Sequence, residues 1–179
     1  MSSKKAGWLK KGLEILSCRG PAGLTIDNLV QNMGKTKGAF YHHFSSSQGY
    51  NSQLLDYWYE TYTVQILARS RRGNTPNVKL KTLVQSTLKI PRKTELAIRA
   101  WALYDDIVKR YQEKIDAERL AYLEEIFFSV TTDRQSSRLK AFKIYSAFIG
   151  YQQLAGHISG NKSPVIMELF EIANYEMEN

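Results

Sequence analysis

The sequence holds a single cysteine, Cys18, only three histidines and four prolines in 179 residues. One cysteine excludes an intrachain disulfide and suits a reducing compartment. Cys18 stands at the end of a helically spaced apolar segment, which makes it a packing or edge residue rather than a redox sensor. Zinc-type Cys/His spacing, a glycine-rich phosphate loop and a nucleophile elbow are all missing. His42 and His43 are adjacent, so on a helix they point ~100° apart and share one metal poorly. His157 stands alone, and the carboxylate pairs Asp105-Asp106 and Glu124-Glu125 read as solvated helix faces. No catalytic residue, metal or cofactor is therefore expected, and the chain is not expected to be an enzyme. No apolar run reaches the ~20 residues of a membrane span. Met1-Ser2-Ser3-Lys4-Lys5 resembles the start of a secretion signal, but Lys10, Lys11 and Glu14 break the apolar stretch that would have to follow. The expectation is a soluble cytoplasmic protein without membrane partners. Alternating strand patterns of useful length and internal repeats are absent too, which leaves an all-α chain.

Acidic residues are also in short supply. Seventeen Asp and Glu face twenty-five Lys and Arg, for a net charge of +8 and a pI of about 9.5. Residues 1–50 hold seven basic and two acidic residues, a net +5, so most of the excess lies in under a third of the chain. Such a surface favours polyanionic partners, nucleic acid among them. With 43% hydrophobic residues the chain has enough apolar side chains for a core.

The stretch from Thr25 to Phe44, TIDNLVQNMGKTKGAFYHHF, concentrates the remaining information. Thr25 can cap a helix whose first turn contains Asp27, with Ile26, Leu29, Val30 and Met33 along one side. Gly34 ends it, and Thr36 can cap a second helix carrying Ala39, Phe40, Tyr41 and Phe44. Phe40 and Phe44 share a face and can anchor that helix. Thr36, Lys37, Ala39, Tyr41, His42 and His43 remain for other faces, as donors, cations and small contacts suited to phosphates and base edges. Gly38 allows a close backbone approach to a phosphate. Two short helices around a glycine turn are a helix-turn-helix, which places its second helix in the DNA major groove.

This segment resembles the DNA-binding domain of the tetracycline-repressor (TetR) family. Thr25, Leu29, Gly34, Thr36, Gly38, Phe40, Tyr41 and Phe44 fall on that family's pattern, and GAFYHHF is its most specific part. Val30, Met33, Lys35 and Ser47 depart from it, Ser47 where the family often has a phosphate-contacting lysine. The run Glu95–Ala102, followed by Asp116, Glu118, Arg119 and Leu123, resembles a segment of one group of the same family. The resemblance is strong over residues 5–50, weaker over 93–155 and absent elsewhere. It implies a DNA-binding head at 1–46 and a helical ligand-binding and dimerisation body at 47–179. It also implies a homodimeric regulator, a repressor by expectation, that binds an inverted-repeat operator in double-stranded DNA. The last two helices would form the dimer interface, and a small-molecule effector of unknown identity would bind the body. The DNA contacts would be Lys4, Lys5, Thr25, Thr36, Lys37, Gly38, Ala39, Tyr41, His42 and His43, with Thr25 and Tyr41 mainly on phosphates. Trp58, Tyr62, Trp101 and Tyr145 are the aromatic candidates for the pocket. The rival reading is a helical ligand-binding or interaction protein with a degenerate head.

Apolar spacing places the other helices. Residues 4–19 form one, with Gly12 allowing another helix to come close. A single amphipathic helix is expected from Ser47 to about Arg72, carrying Leu55, Trp58, Tyr62 and Ile66. Further helices are expected over Asn77–Leu88, Lys93–Tyr104, Asp105–Val130, Arg134–Ser159 and Pro164–Glu178, with Gly150 and Gly156 open to close helix packing. The cluster Arg69-Ser70-Arg71-Arg72 reads as a solvated helix C-terminus.

Overall fold

The computed structural model describes residues 3–156 together with Glu168, Glu171, Asn174 and Tyr175. Among these residues there is no strand. The helices are α1 (Ser3–Arg19), α2 (Ile26–Met33), α3 (Lys37–Tyr41), α4 (Ser47–Tyr59), α5 (Gln65–Arg71), α6 (Pro76–Thr87), α7 (Arg92–Trp101), α8 (Asp106–Thr131) and α9 (Arg134–Leu154). Of the expected helix at Pro164–Glu178 only Glu168, Glu171, Asn174 and Tyr175 are described, each helical, and the end of the one expected to reach Ser159 lies outside the described residues.

By backbone packing the chain divides into two compact units, Met1–Thr61 with Arg92–Gln112, and Tyr62–Pro91 with Glu113–Asn179. This division differs from a head ending at residue 46, because α7 packs on α1 and joins the N-terminal unit. Such a contact joins segments some eighty positions apart in the chain, and periodicity within a segment carries no information about it.

The core of the first unit follows the expected stripe. Trp8, Leu9, Leu13 and Leu16 of α1 are buried with Leu29 of α2, Phe40 of α3, and Tyr50, Leu54 and Trp58 of α4. Each such side chain contributes roughly 1.5–3 kcal/mol by leaving water. Gly12 lies where α1 meets α4: a Cβ there would overlap the Tyr50 hydroxyl and come within 3.1 Å of Leu54 Cδ1. That hydroxyl donates to the Trp8 carbonyl at 2.9 Å.

Burial holds the Tyr50 hydroxyl in its neutral form and pushes its pKa well above the usual value of 10. Tyr111 is pushed up to about 12, first by burial and then by its hydrogen bond to Asp56 at 2.6 Å. The native state thus keeps protons that the unfolded chain releases above pH 10. The stability they support is complete below pH 10 and falls as pH rises through the folded values. The urea midpoint is expected to be flat from about pH 7 to 9.5 and to drop beyond pH 10. Tyr50→Phe should soften the drop while costing about 1 kcal/mol at neutral pH, through loss of the Trp8 bond.

Two expected spans change. Helix α7 stops at Trp101, and Leu103 and Tyr104 lie exposed in the turn that follows rather than in a helix. The chain turns there because Asp105 caps α8, its Oδ1 accepting from the Ile107 and Val108 amides at 2.9 and 3.2 Å. That assigns Asp105 a structural task, where the sequence suggested only a solvated face. The expected single helix over 47–72 is helical throughout but widens into a π turn at Glu60–Val64. In the second unit Arg119 serves this wide turn, donating from Nε to Thr63 Oγ1 and from Nη2 to the Tyr62 carbonyl, both at 3.2 Å. A π turn disturbs the i→i−4 ladder, and Arg119 supplies donors to it.

The second unit packs α5 on α6, and α8 and α9 bury Ile115, Tyr122, Leu123, Ile126, Phe127, Ala141, Ile144 and Tyr145. Arg71 ends α5 as expected of a helix C-terminus, pairing with Glu125 at 3.2 Å and lying over the Tyr122 ring. Helix α9 is apolar on two sides, as expected: Ile144 and Tyr145 are inside, whereas Leu139 (57%), Phe142 (62%) and Leu154 (63%) remain exposed. Among the described residues nothing lies within 4 Å of where a Gly150 Cβ would stand.

Candidate nucleic-acid interface

Helices α2 and α3 form a tight pair because both ends of the turn between them are capped. Thr25 is extended, and its hydroxyl accepts from the Asn28 amide at 3.2 Å. At the other end Gly34 takes φ 59°. The Lys35 amide then reaches the Val30 carbonyl at 2.9 Å and the Gly34 amide reaches Gln31 at 3.2 Å, a double bond pattern that closes a helix through a left-handed residue. Thr36 caps α3 by accepting from the Ala39 amide at 3.2 Å.

The inner side of α3 is aromatic. Phe40 is fully buried, its ring 5.7 Å from Trp8, 5.1 Å from Phe44 and 5.5 Å from Tyr50. The outer side presents Thr36, Lys37, Gly38, Tyr41 and His42, all exposed, with Ala39 and His43 half-buried. Thr25, at the start of α2, is exposed as well. The structure therefore brings eight of the ten expected DNA-contacting residues onto the two capped helices and the residues beside them. Lys4 and Lys5 stand apart on the first turn of α1, Lys4 exposed. Lys5 is half-buried, its ammonium 5.4 Å from the centre of the Phe44 ring, a cation–π contact rather than a free arm. His42 and His43 meet edge to face at 5.0 Å.

One contact on this surface was not anticipated. Lys37 Nζ lies 2.7 Å from Asp27 Oδ1, joining the first turns of the two helices. Hydrogen bonding to Asp27, reinforced by its charge, raises the Lys37 amine above its ordinary pKa of 10.5. The sequence showed both residues but not that the turn would fold one against the other.

Residues 9–49 match the family model described as "Bacterial regulatory proteins, tetR family". Over these residues the head is similar to the tetR family. Beyond the head the likeness is to solved structures. A TetR-family transcriptional regulator from Streptomyces coelicolor superposes with a TM-score of 0.81 at 14% identity, over 99% of this chain and 89% of that one. A TetR transcriptional regulator from Legionella pneumophila gives 0.80 at 13% identity, over 99% and 98%. A putative TetR-family regulator from Rhodococcus gives 0.76 at 16%, over 99% and 100%. At these identities the likeness is one of fold. No curated protein matches in sequence. Among the described residues the chain is all-α and TetR-like in fold, with an N-terminal helix-turn-helix and a helical body.

Within the second unit of this TetR fold lies a cavity of about 60 Å³. Tyr62, Ile66, Leu83, Leu123, Ile144, Tyr145 and Phe148 are among its lining residues, with Thr63 and Arg119. Its polar groups already have partners: Arg119 is turned to Thr63 and Tyr62, and the Tyr145 hydroxyl donates to Asp116 Oδ1 at 2.6 Å. Of the four expected pocket aromatics, Tyr62 and Tyr145 line it. Trp58 and Trp101 do not; they are buried in the first unit. Helical spacing marks all four as inward-facing, and inward-facing does not say which buried ring borders a void. Arg119, one of the residues of the family resemblance, is a charged residue at this wall. Among the described residues no group of three or more His, Cys, Asp or Glu is placed to hold a metal, and no helix is long and apolar enough to cross a membrane.

Proposed function

We propose that the protein is a homodimeric, sequence-specific repressor, released from an inverted-repeat operator by a small apolar or aromatic effector. The supporting observation is the doubly capped helix pair, which fixes α3 on its phenylalanine side and leaves Thr36, Lys37, Gly38, Ala39, Tyr41, His42 and His43 outward in a segment that matches the tetR family. Two such heads would enter successive major grooves about 34 Å apart. The exposed Leu139 and Phe142 on α9 are apolar groups that a second copy would cover; of the segment Pro164–Glu178, the other expected half of that interface, most residues lie outside the described ones. The effector would occupy the cavity of the second unit. Typical ligand sites measure ~300–1,000 Å³, so at about 60 Å³ its walls must part for anything beyond a few heavy atoms. A ligand that binds the parted state better shifts the population toward it, by no more than the difference in its affinities. No catalysis and no cofactor enter this reading.

The test is selection from a pool of random duplexes at two salt concentrations. Enrichment of an inverted repeat establishes a sequence-specific dimeric regulator. Salt-sensitive binding without enrichment leaves a basic surface, and the helical ligand-binding rival becomes the better account. Within this reading, removing Lys37 where Asp27 no longer pairs with it, Asp27→Asn/Lys37→Ala against Asp27→Asn, is expected to weaken binding to all duplexes and to lower the slope of log K against log salt by about one unit. Titrations between about 50 and 300 mM salt measure it, and an unchanged slope removes Lys37 from the phosphate contacts.

A further inference from the structure

A cation that is to neutralise DNA phosphate is normally left to solvent. Lys37 has a counter-charge there as well: its ammonium lies 2.7 Å from the Asp27 carboxylate. Both side chains are open to water, Lys37 by 59% and Asp27 by 75%. An exposed pair of this kind contributes little to stability. Nor is Asp27 needed to cap α2, since Thr25 already accepts from the Asn28 amide. What the pair does change is the charge offered by the first turn of α3. With Asp27 beside it, Lys37 presents a locally neutral group to an approaching polyanion, and its exposed bond is weak enough for a phosphate to displace.

We propose that Asp27 is a positioning residue that competes with DNA phosphate for Lys37, and so lowers the affinity of the head for DNA and its salt dependence. The inference rests on the DNA-binding reading above. A phosphate that takes Lys37 must first displace Asp27 and then tolerate that carboxylate nearby. Contacts made only through the backbone of the duplex therefore lose most of what one lysine supplies. A departure from DNA would return Lys37 to Asp27.

The experiment measures binding of the full chain to a mixed-sequence duplex of two helical turns, from about 50 mM to 1 M salt, for the parent, Asp27→Asn, Asp27→Glu, Lys37→Ala and the double variant Asp27→Asn/Lys37→Ala. Freeing one lysine for one phosphate adds about one unit to the salt slope and raises affinity about tenfold at the lowest salt, with the gain vanishing near 1 M. Asp27→Glu keeps the charge and is expected to stay within about twofold of the parent. In the Lys37→Ala background, Asp27→Asn should gain less than about threefold, the part due to repulsion alone. An Asp27→Asn gain that is equal with and without Lys37, or absent while the parent binds in a salt-dependent way, overturns the inference and leaves the DNA-binding reading standing. A parent chain with no salt-dependent binding overturns both.

Discussion

Replacing Phe40 with alanine is expected to destabilise the head by about 3–5 kcal/mol and to weaken DNA binding by about tenfold or more. Phe40 has no exposed surface, and its ring meets those of Trp8, Phe44 and Tyr50. Truncation removes the transfer energy of the ring and opens a void among three aromatic groups that cannot easily collapse. The effect reaches function because α3 is only five residues long. A helix that short does not persist alone in water. It is held at its start by the Thr36 cap and along its inner side by Phe40 and Phe44. Without the first of these rings the outward residues lose their common support, and the binding-competent fraction falls. Urea unfolding and duplex titration of the same preparation measure the two effects. A loss below about 1.5 kcal/mol would mean that the neighbouring rings close over the gap.

The second large effect is expected at Gly12. Gly12→Ala would ordinarily favour a helix interior by about 1 kcal/mol. Here the new methyl would overlap the Tyr50 hydroxyl, lie 3.0 Å from Tyr50 Cζ and 3.1 Å from Leu54 Cδ1. Tyr50 cannot simply move aside, because it is fully buried and its hydroxyl is bound to the Trp8 carbonyl. Overpacking costs about 1–3 kcal/mol and loss of the hydrogen bond about 1 more, which offsets the helix gain, so the net expectation is a loss of about 1–3 kcal/mol. The double variant Gly12→Ala/Tyr50→Phe removes the oxygen that the methyl strikes and should recover part of it. Additive losses in that cycle would show that the two positions do not couple, and the steric account would fail.

The helix-turn-helix was legible because its determinants are local. Thr25, Gly34 and Thr36 act within five positions of themselves, through capping bonds and a left-handed turn, and Phe40 and Phe44 share a face by spacing alone. Gly12 was legible for a similar reason: a glycine inside a strong helix pattern has few uses other than close approach. The tip at Leu103 and Tyr104 was misplaced into a helix because apolar spacing continues past Trp101, while the Asp105 cap that ends the run depends on how the next helix starts. The π turn at Glu60–Val64 keeps helical spacing on both sides and adds no residue type that would mark it.

What the sequence by itself determined about this protein is the all-α class, the capped helix pair and the basic charge of the N-terminal fifty residues. All of these depend on interactions within a few residues or on composition. Only the tertiary structure decided the joining of α7 to α1, the division of the four candidate aromatics between a cavity wall and a separate core, the service of Arg119 to the wide turn, and the pairing of Lys37 with Asp27. Each of these depends on which distant segments meet. Two helices with the same periodicity can present a given face to many neighbours, and it is packing that selects one.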